Sequence, residues 1–222
     1  MSTRLDLLFL NAGVAGIAPS LTEDGFEAHF GINHVGHTLL TQLLMPTLLA
    51  TQKLPDSDVR VLVTTGIGAH KLAPKKGLQL DLMKTTAESM SPMARSGHSK
   101  LANILFARKL AQVYPEITTT SHHPGTVKSE IWQKADGVSM ILNLIAKLVV
   151  WLTAVSVEKG ARSGLWTAVA EKSSIKNGEY YEPVGINKYR TQNATSQKLT
   201  DELWDWTNKE LAEHDGPGWP EK

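Results

Sequence analysis

Hydrophobic and polar positions change period several times along the chain, and each change marks an element. Residues 5–11, Leu-Asp-Leu-Leu-Phe-Leu-Asn, form a short apolar run that ends in Ala-Gly-Val-Ala-Gly. That pattern predicts a buried parallel strand feeding a glycine turn. Thr22 then precedes Glu23 and Asp24, the arrangement of an N-cap with acidic residues in a first turn. From there Phe26, Phe30, Asn33, His37, Leu40 and Leu44 recur at steps of three and four. This spacing predicts one face of a long helix, with Asn33 set inside an apolar stripe.

Val59–Thr65 is short and β-branched and predicts a second strand. Ser91 followed by Pro92 reads as an N-cap with proline in the first helical position, and Pro115 stops that helix soon after Val113. Ile117–Ser121 predicts a third strand leading into His-His-Pro-Gly. A helix around 158–170, a strand and turn over 177–185, and an amphipathic helix over 200–214 complete the chain, the last with Leu203, Trp206 and Leu211 facing inward. Strands alternating with helices predict an α/β fold, a doubly wound parallel sheet, in one domain over 1–215. Residues 216–222 read as a flexible tail.

Composition narrows the functional classes. A net charge of +1, from 23 basic and 22 acidic residues, argues against electrostatic capture of nucleic acid. Lys71, Lys75 and Lys76 form a short basic cluster without aromatic neighbours, the pattern of a solvated loop. The absence of cysteine removes disulfides, thiolate nucleophiles and cysteine-bound zinc, and suits a reducing, cytoplasmic setting. Residues 138–155 are apolar except for Asn143, Lys147 and a few hydroxyls. With a lysine in the middle they predict a buried helix or a lid over a lipophilic pocket, with room for peripheral membrane contact, rather than a span.

Seven segments, in order, together resemble the short-chain dehydrogenase/reductase family, with greatest likeness to its retinol-dehydrogenase-like branch and to fungal metabolic enzymes. They are LNAG at 10–13, FGINHVGHTLL at 30–40, VLVTT at 61–65, SGHSK at 96–100, HPGTVKSE at 123–130, NGEYYEPVG at 177–185 and LWDWTNKEL at 203–211. The resemblance implies a Rossmann-like sheet and NADP- or NAD-dependent oxidoreduction of a lipophilic carbonyl or alcohol in small-molecule metabolism. It places Asn11 and Gly13 on the cofactor's ribose side and makes Asn33 the holder of a proton-relay water. Thr65 stands at the catalytic serine position, Ser96 at the tyrosine position, and Lys100 at the lysine that serves both catalysis and cofactor. Pro124, Gly125, Val127 and Ser129 fall where the family closes over nicotinamide. No metal site is implied: His70, His122 and His123 lack a fixed ligand spacing.

Two departures set expectations. The family's first strand and Gly-x-x-x-Gly-x-Gly turn have no counterpart, so the chain reads as N-terminally truncated and lacking the first βαβαβ nucleotide-binding half. NADP or NAD is the cofactor by resemblance, with binding of none by such a chain left open. The second departure is Ser96. A phenol near pKa 10 can be tuned by a neighbouring ammonium, whereas an aliphatic hydroxyl is a far weaker acid and reaches less far. His98 points away from that face, and for His37, His122 and His123 a structural role is the plainer reading. Three readings stay open: an oxidoreductase, a non-redox isomerase, dehydratase or cyclase on the same scaffold, and an inactive partner of an intact relative. The strand at 5–11 would become a sheet edge, which predicts a homo-oligomer or another partner covering it.

Overall fold

The computed structural model describes residues 3–128, 154–187 and 191–221. Strands β1 (Leu7–Leu10), β2 (Arg60–Thr64), β3 (Thr118–His122) and β4 (Tyr180–Tyr181) pair in that order, every pairing parallel. All five residues of β2 are buried, as a strand covered on both faces requires. On one face Leu8, Leu10, Val61 and Val63 pack against Met45 and Leu48 of helix α2 (Gly36–Gln52) and against Phe106 and Leu110 of a later helix. On the other face Arg60 reaches toward the end of a helix laid over it, and its guanidinium donates to Thr167 O at 3.0 Å and Ala170 O at 2.7 Å. Those carbonyls lie at the C-terminal end of that helix, where a cation is favoured. The sheet is therefore doubly wound, as the alternation of patterns predicts.

The long helix after β1 differs from the expected one in its start and in its register. Thr22 does not cap it. Its hydroxyl accepts from Phe26 N across a turn at 3.2 Å, and Glu27 caps helix α1 (Ala28–Phe30) by accepting from Phe30 N at 2.8 Å. A π-turn, Gly31–Val35, then joins α1 to α2, with Gly36 N bonded to Gly31 O. A π-turn inserts one extra residue, so the buried face moves one position along. Thr38, Thr41, Gln42, Met45 and Leu48 face inward, while Leu40 is 41% exposed instead of continuing the stripe.

The Ser91–Pro92 signal holds: Ser91 Oγ accepts from Ala94 N at 3.2 Å, and α4 runs Pro92–Val113. The short α3 (Gly68–Lys71) lies against it at Gly97, where a Cβ would stand 2.7 Å from Ala73 N and 2.8 Å from Gly68 O. Glycine is what lets the two backbones touch. Helix α5 (Val157–Val169) is the one that Arg60 caps. After a short α6 (Gln192–Thr195), α7 (Gln197–Glu213) starts at Ser196 and buries Leu203 and Leu211, with Trp206 packed beside them.

Residues 216–221, expected to form a flexible tail, lie against the body. Trp219 stacks on Trp204 with centroids 4.6 Å apart and donates to Asn208 Oδ1 at 2.8 Å, and Tyr114 OH donates to Pro220 O at 3.0 Å. Among the described residues β1 pairs on one side only, and its Phe9 is 43% exposed. Most of the apolar segment 138–155 lies outside the described residues. No helix among the described residues is long and apolar enough to cross a membrane.

Candidate active site

The parallel register brings the carboxyl ends of β1, β2 and β3 level, because Leu10 pairs with Val63 and Val63 with Ser121. Asn11, Thr64, Thr65, His122 and His123 therefore emerge at one end of the sheet. Ligands of open α/β sheets bind outside this end. Here it opens into a cavity of about 870 Å³, a volume suited to a small organic molecule. Helix α4 crosses the cavity and places Ser96 and Lys100 on its wall, one helical turn apart. The remaining wall is mostly apolar and includes Phe9, Leu72, Met93, Val157 and Leu165.

Lys100 Nζ donates to Thr64 O at 3.3 Å, and Asn103 Nδ2 reaches the same carbonyl at 3.1 Å. Among the described residues Lys100 has no carboxylate partner. Its side chain is half-buried by surface, but the ammonium is enclosed by protein, and that burial lowers its pKa to about 8. Thr65 Oγ1 donates to Lys100 O at 2.6 Å, so the hydroxyl at the family's serine position is committed to the helix. Thr64 Oγ1 donates to Asn11 Oδ1 at 3.0 Å and lies 3.2 Å from His122 Nε2. Burial, with His123 and Lys100 nearby, lowers His122 to about 4, and burial with His70 and Lys71 nearby does the same to His123. Both imidazoles are neutral at pH 7, and each leaves a buried ring nitrogen without a hydrogen-bond partner.

Of the residues anticipated from sequence, Asn11, Gly13, Thr65, Ser96, Lys100, Pro124, Gly125 and Val127 all line this one cavity. Asn33 does not. It is fully buried behind the turn after β1, where Oδ1 accepts from Val14 N at 2.8 Å and Nδ2 donates to Val14 O at 3.0 Å and to Ser99 Oγ at 2.8 Å. A Cβ on Gly13 would stand 2.8 Å from that Oδ1. The side chain thus clamps the Gly13–Val14 turn. Ser129 lies outside the described residues. His98 faces the core, where it accepts from Gln79 N at 2.9 Å, and His37 also stays off the cavity wall.

Sequence reasoning missed helix α5 as a wall. Gly160 and Gly164 allow it to approach, since Cβ atoms there would lie 2.4 Å from Val127 Cγ2 and 3.0 Å from His122 Nε2. The Gly-x-x-x-Gly spacing at 160–164 was the available signal. The arrangement as a whole can hold a carbonyl or hydroxyl compound against a largely apolar wall and offer an ammonium, an amine or a hydroxyl to its oxygen.

Comparison with known proteins places this geometry. No protein-family model matches the chain. The short-chain dehydrogenase/reductase drtF of Aspergillus calidoustus is 30% identical over 226 residues, covering 94% of this chain and 69% of its own length. The chain belongs to the short-chain dehydrogenase/reductase family. Retinol dehydrogenase 12 of Mus musculus is 32% identical over 203 residues, covering 90% of this chain and 59% of the relative. This member of the family thus spans about half to two thirds of the length of the curated relatives it matches. Among solved structures, an uncharacterized protein of Mycobacterium paratuberculosis superposes with a TM-score of 0.69 at 21% identity, over 99% of this chain and 70% of that one. An NADPH-bound carbonyl reductase from chicken fatty liver superposes with a TM-score of 0.52 at 19% identity, over 81% of this chain and 63% of that one. These likenesses show a shared fold.

Proposed function

We propose that the cavity binds a lipophilic alcohol or carbonyl compound, and that its reaction class is the NADP- or NAD-dependent oxidoreduction of its family, in the small-molecule metabolism of the cytoplasm. The observation that carries this reading is the convergence of Asn11, Gly13, Ser96, Lys100, Pro124, Gly125 and Val127 on one largely apolar cavity. The retinol dehydrogenase among its relatives supports a lipophilic substrate.

The residues present fit one end of a dinucleotide. Lys100 can donate to a ribose hydroxyl, and Pro124, Gly125 and Val127 offer a wall for a flat ring. The phosphate end finds no cradle among the described residues. The turn after β1 runs on as a loop, and the helix that follows has its N-terminus filled by the Glu27 carboxylate, so it offers nothing to an anion. When bound, nicotinamide supplies or accepts the hydride. Ser96 can hydrogen-bond a substrate oxygen, but an aliphatic hydroxyl cannot give up its proton as a phenol does, so redox turnover by this chain is slow.

Titration of NADH and NADPH against the purified chain, read by energy transfer from its six tryptophans, tests the reading. Weak binding with slow reduction of a lipophilic aldehyde supports it. Failure of any lipophilic alcohol or aldehyde to enter the cavity overturns it. A non-redox reading, as isomerase, dehydratase or cyclase, is favoured by one observation: Lys100 is enclosed, with no carboxylate or phenol beside it among the described residues.

A further inference from the structure

We propose that Lys100 forms a reversible imine with a lipophilic aldehyde held in the cavity, so that the chain captures aldehydes covalently without any nucleotide. This rests on the preceding reading only in that the cavity must admit lipophilic carbonyl compounds.

The placement of the amine carries the inference. Lys100 Nζ is on the cavity wall, close to Gly13, where a Cβ would be 3.5 Å away, and its hydrogen bond to Thr64 O is long at 3.3 Å. No carboxylate among the described residues holds it in the ammonium form, and no phenol stands on its helix face, since Ser96 occupies that place. Among the described residues two titratable neighbours are neutral: His122 and His37 both sense Lys100 and are both held near 4. With a pKa of about 8, about a tenth of the amine is unprotonated at pH 7, far more than for an ordinary lysine, and desolvation is the usual way proteins make a lysine nucleophilic.

The chemistry balances without an oxidant or reductant. The Lys100 nitrogen lone pair forms a bond to the aldehyde carbon, and the carbonyl π pair moves to oxygen, which takes one of the two amine protons to give a carbinolamine. The C–O bond then breaks, the hydroxyl leaves with the second amine proton as one water, and a C=N bond to Nζ remains. Ser96, on the same wall, can relay the proton to the departing hydroxyl. The apolar wall of Leu72, Met93, Val157 and Leu165 receives the alkyl chain.

The test uses the full chain, decanal as probe, and sodium cyanoborohydride to reduce any imine to a stable secondary amine, followed by peptide mass mapping. The expected result is a decyl group on Lys100 at about tenfold the level on any exposed lysine, lost in Lys100→Arg. Prior addition of decanol, which fills the cavity but forms no imine, should suppress the label. Label spread over surface lysines with Lys100 unmodified overturns the proposal. If decanol displaces a fluorescent lipophilic probe while no adduct forms on Lys100, the imine is wrong and the cavity reading stands. If decanol displaces nothing and no adduct forms, both fail.

Discussion

Thr65 donates its hydroxyl proton to the backbone carbonyl of Lys100, 2.6 Å away, while the Lys100 ammonium returns to the carbonyl of Thr64. The end of β2 and the middle of α4 thus hold each other by a reciprocal pair of bonds. Thr65→Val removes the donor at a buried position and should lower stability by about 1–2 kcal/mol in urea unfolding. Thr65→Ser keeps the hydroxyl and should stay close to wild type. Equal losses in the two variants would mean that packing of the methyl group, and not the bond, matters at this position.

Ser96→Tyr should place a phenol one turn from Lys100, at the wall of the cavity. The phenolate and the ammonium favour each other, so the phenol and Lys100 should titrate as a coupled pair, with part of the phenol ionising below its ordinary value of about 10. The difference in ultraviolet absorption between variant and wild type, followed with pH, reports this directly. An unshifted midpoint would show that the two side chains do not meet.

Acid should unfold the chain early. Burial lowers His34 to about 3 and His98 to about 4, the former also through His37 and His98, so both are neutral in the fold at pH 6. Once unfolded they take up protons below their ordinary 6.5. The unfolded state then binds more protons, and stability falls as pH drops from about 6.5 toward 4, by about 1.4 kcal/mol per pH unit for each such histidine. Glu27 acts in the same direction. Burial alone would raise its pKa, but the hydrogen bond and charge of His29 and the N–H of Phe30 prevail and lower it, so its stabilisation is lost as pH falls through that lowered value. Urea midpoints measured across this range check the slope, and His98→Gln should make it shallower.

Alanine at Gly160 and at Gly164 should behave differently. In a helix interior the change favours folding by up to about 1 kcal/mol. At Gly160 the new Cβ would lie 2.4 Å from Val127 Cγ2, a stiff β-branched side chain, and overpacking of about 1–3 kcal/mol should win. At Gly164 the clash, 3.0 Å from His122 Nε2, is milder, and the two effects should nearly cancel. Thermal melts of the two variants should rank them in that order.

Asn11, Gly13, Thr65, Pro124, Gly125 and Val127 were legible in the sequence because each belongs to a short motif at or just after a strand end, and parallel pairing brings those ends together. Ser96 and Lys100 were legible from a motif inside α4. The register beyond Asn33 was not legible for a physical reason. The π-turn adds a residue to the helix and turns Leu40 outward, and no periodicity rule anticipates that from Gly31–Val35 alone. The cap at Glu27 was hidden by the better-looking Thr22, whose hydroxyl closes a turn instead. The wall formed by α5 escaped because its two glycines look like weak helix formers until Val127 and His122 are found beneath them.

The unpaired side of β1 carries a prediction of its own. Among the described residues no strand pairs with the outer side of β1, and its half-exposed Phe9 favours pairing with another chain. We expect self-association, seen as a concentration-dependent shift in sedimentation velocity, and expect Phe9→Lys to weaken it. A single monomeric species at every concentration would count against an active edge.

The stacked indoles of Trp204 and Trp219 amount to a built-in optical gauge. Two indole chromophores stacked so near, with their in-plane transitions skewed to one another, should couple and give a paired positive and negative band in circular dichroism. The C-terminal segment reports its own docking in this way, with no label attached, and the signal should vanish on its release before the helices melt.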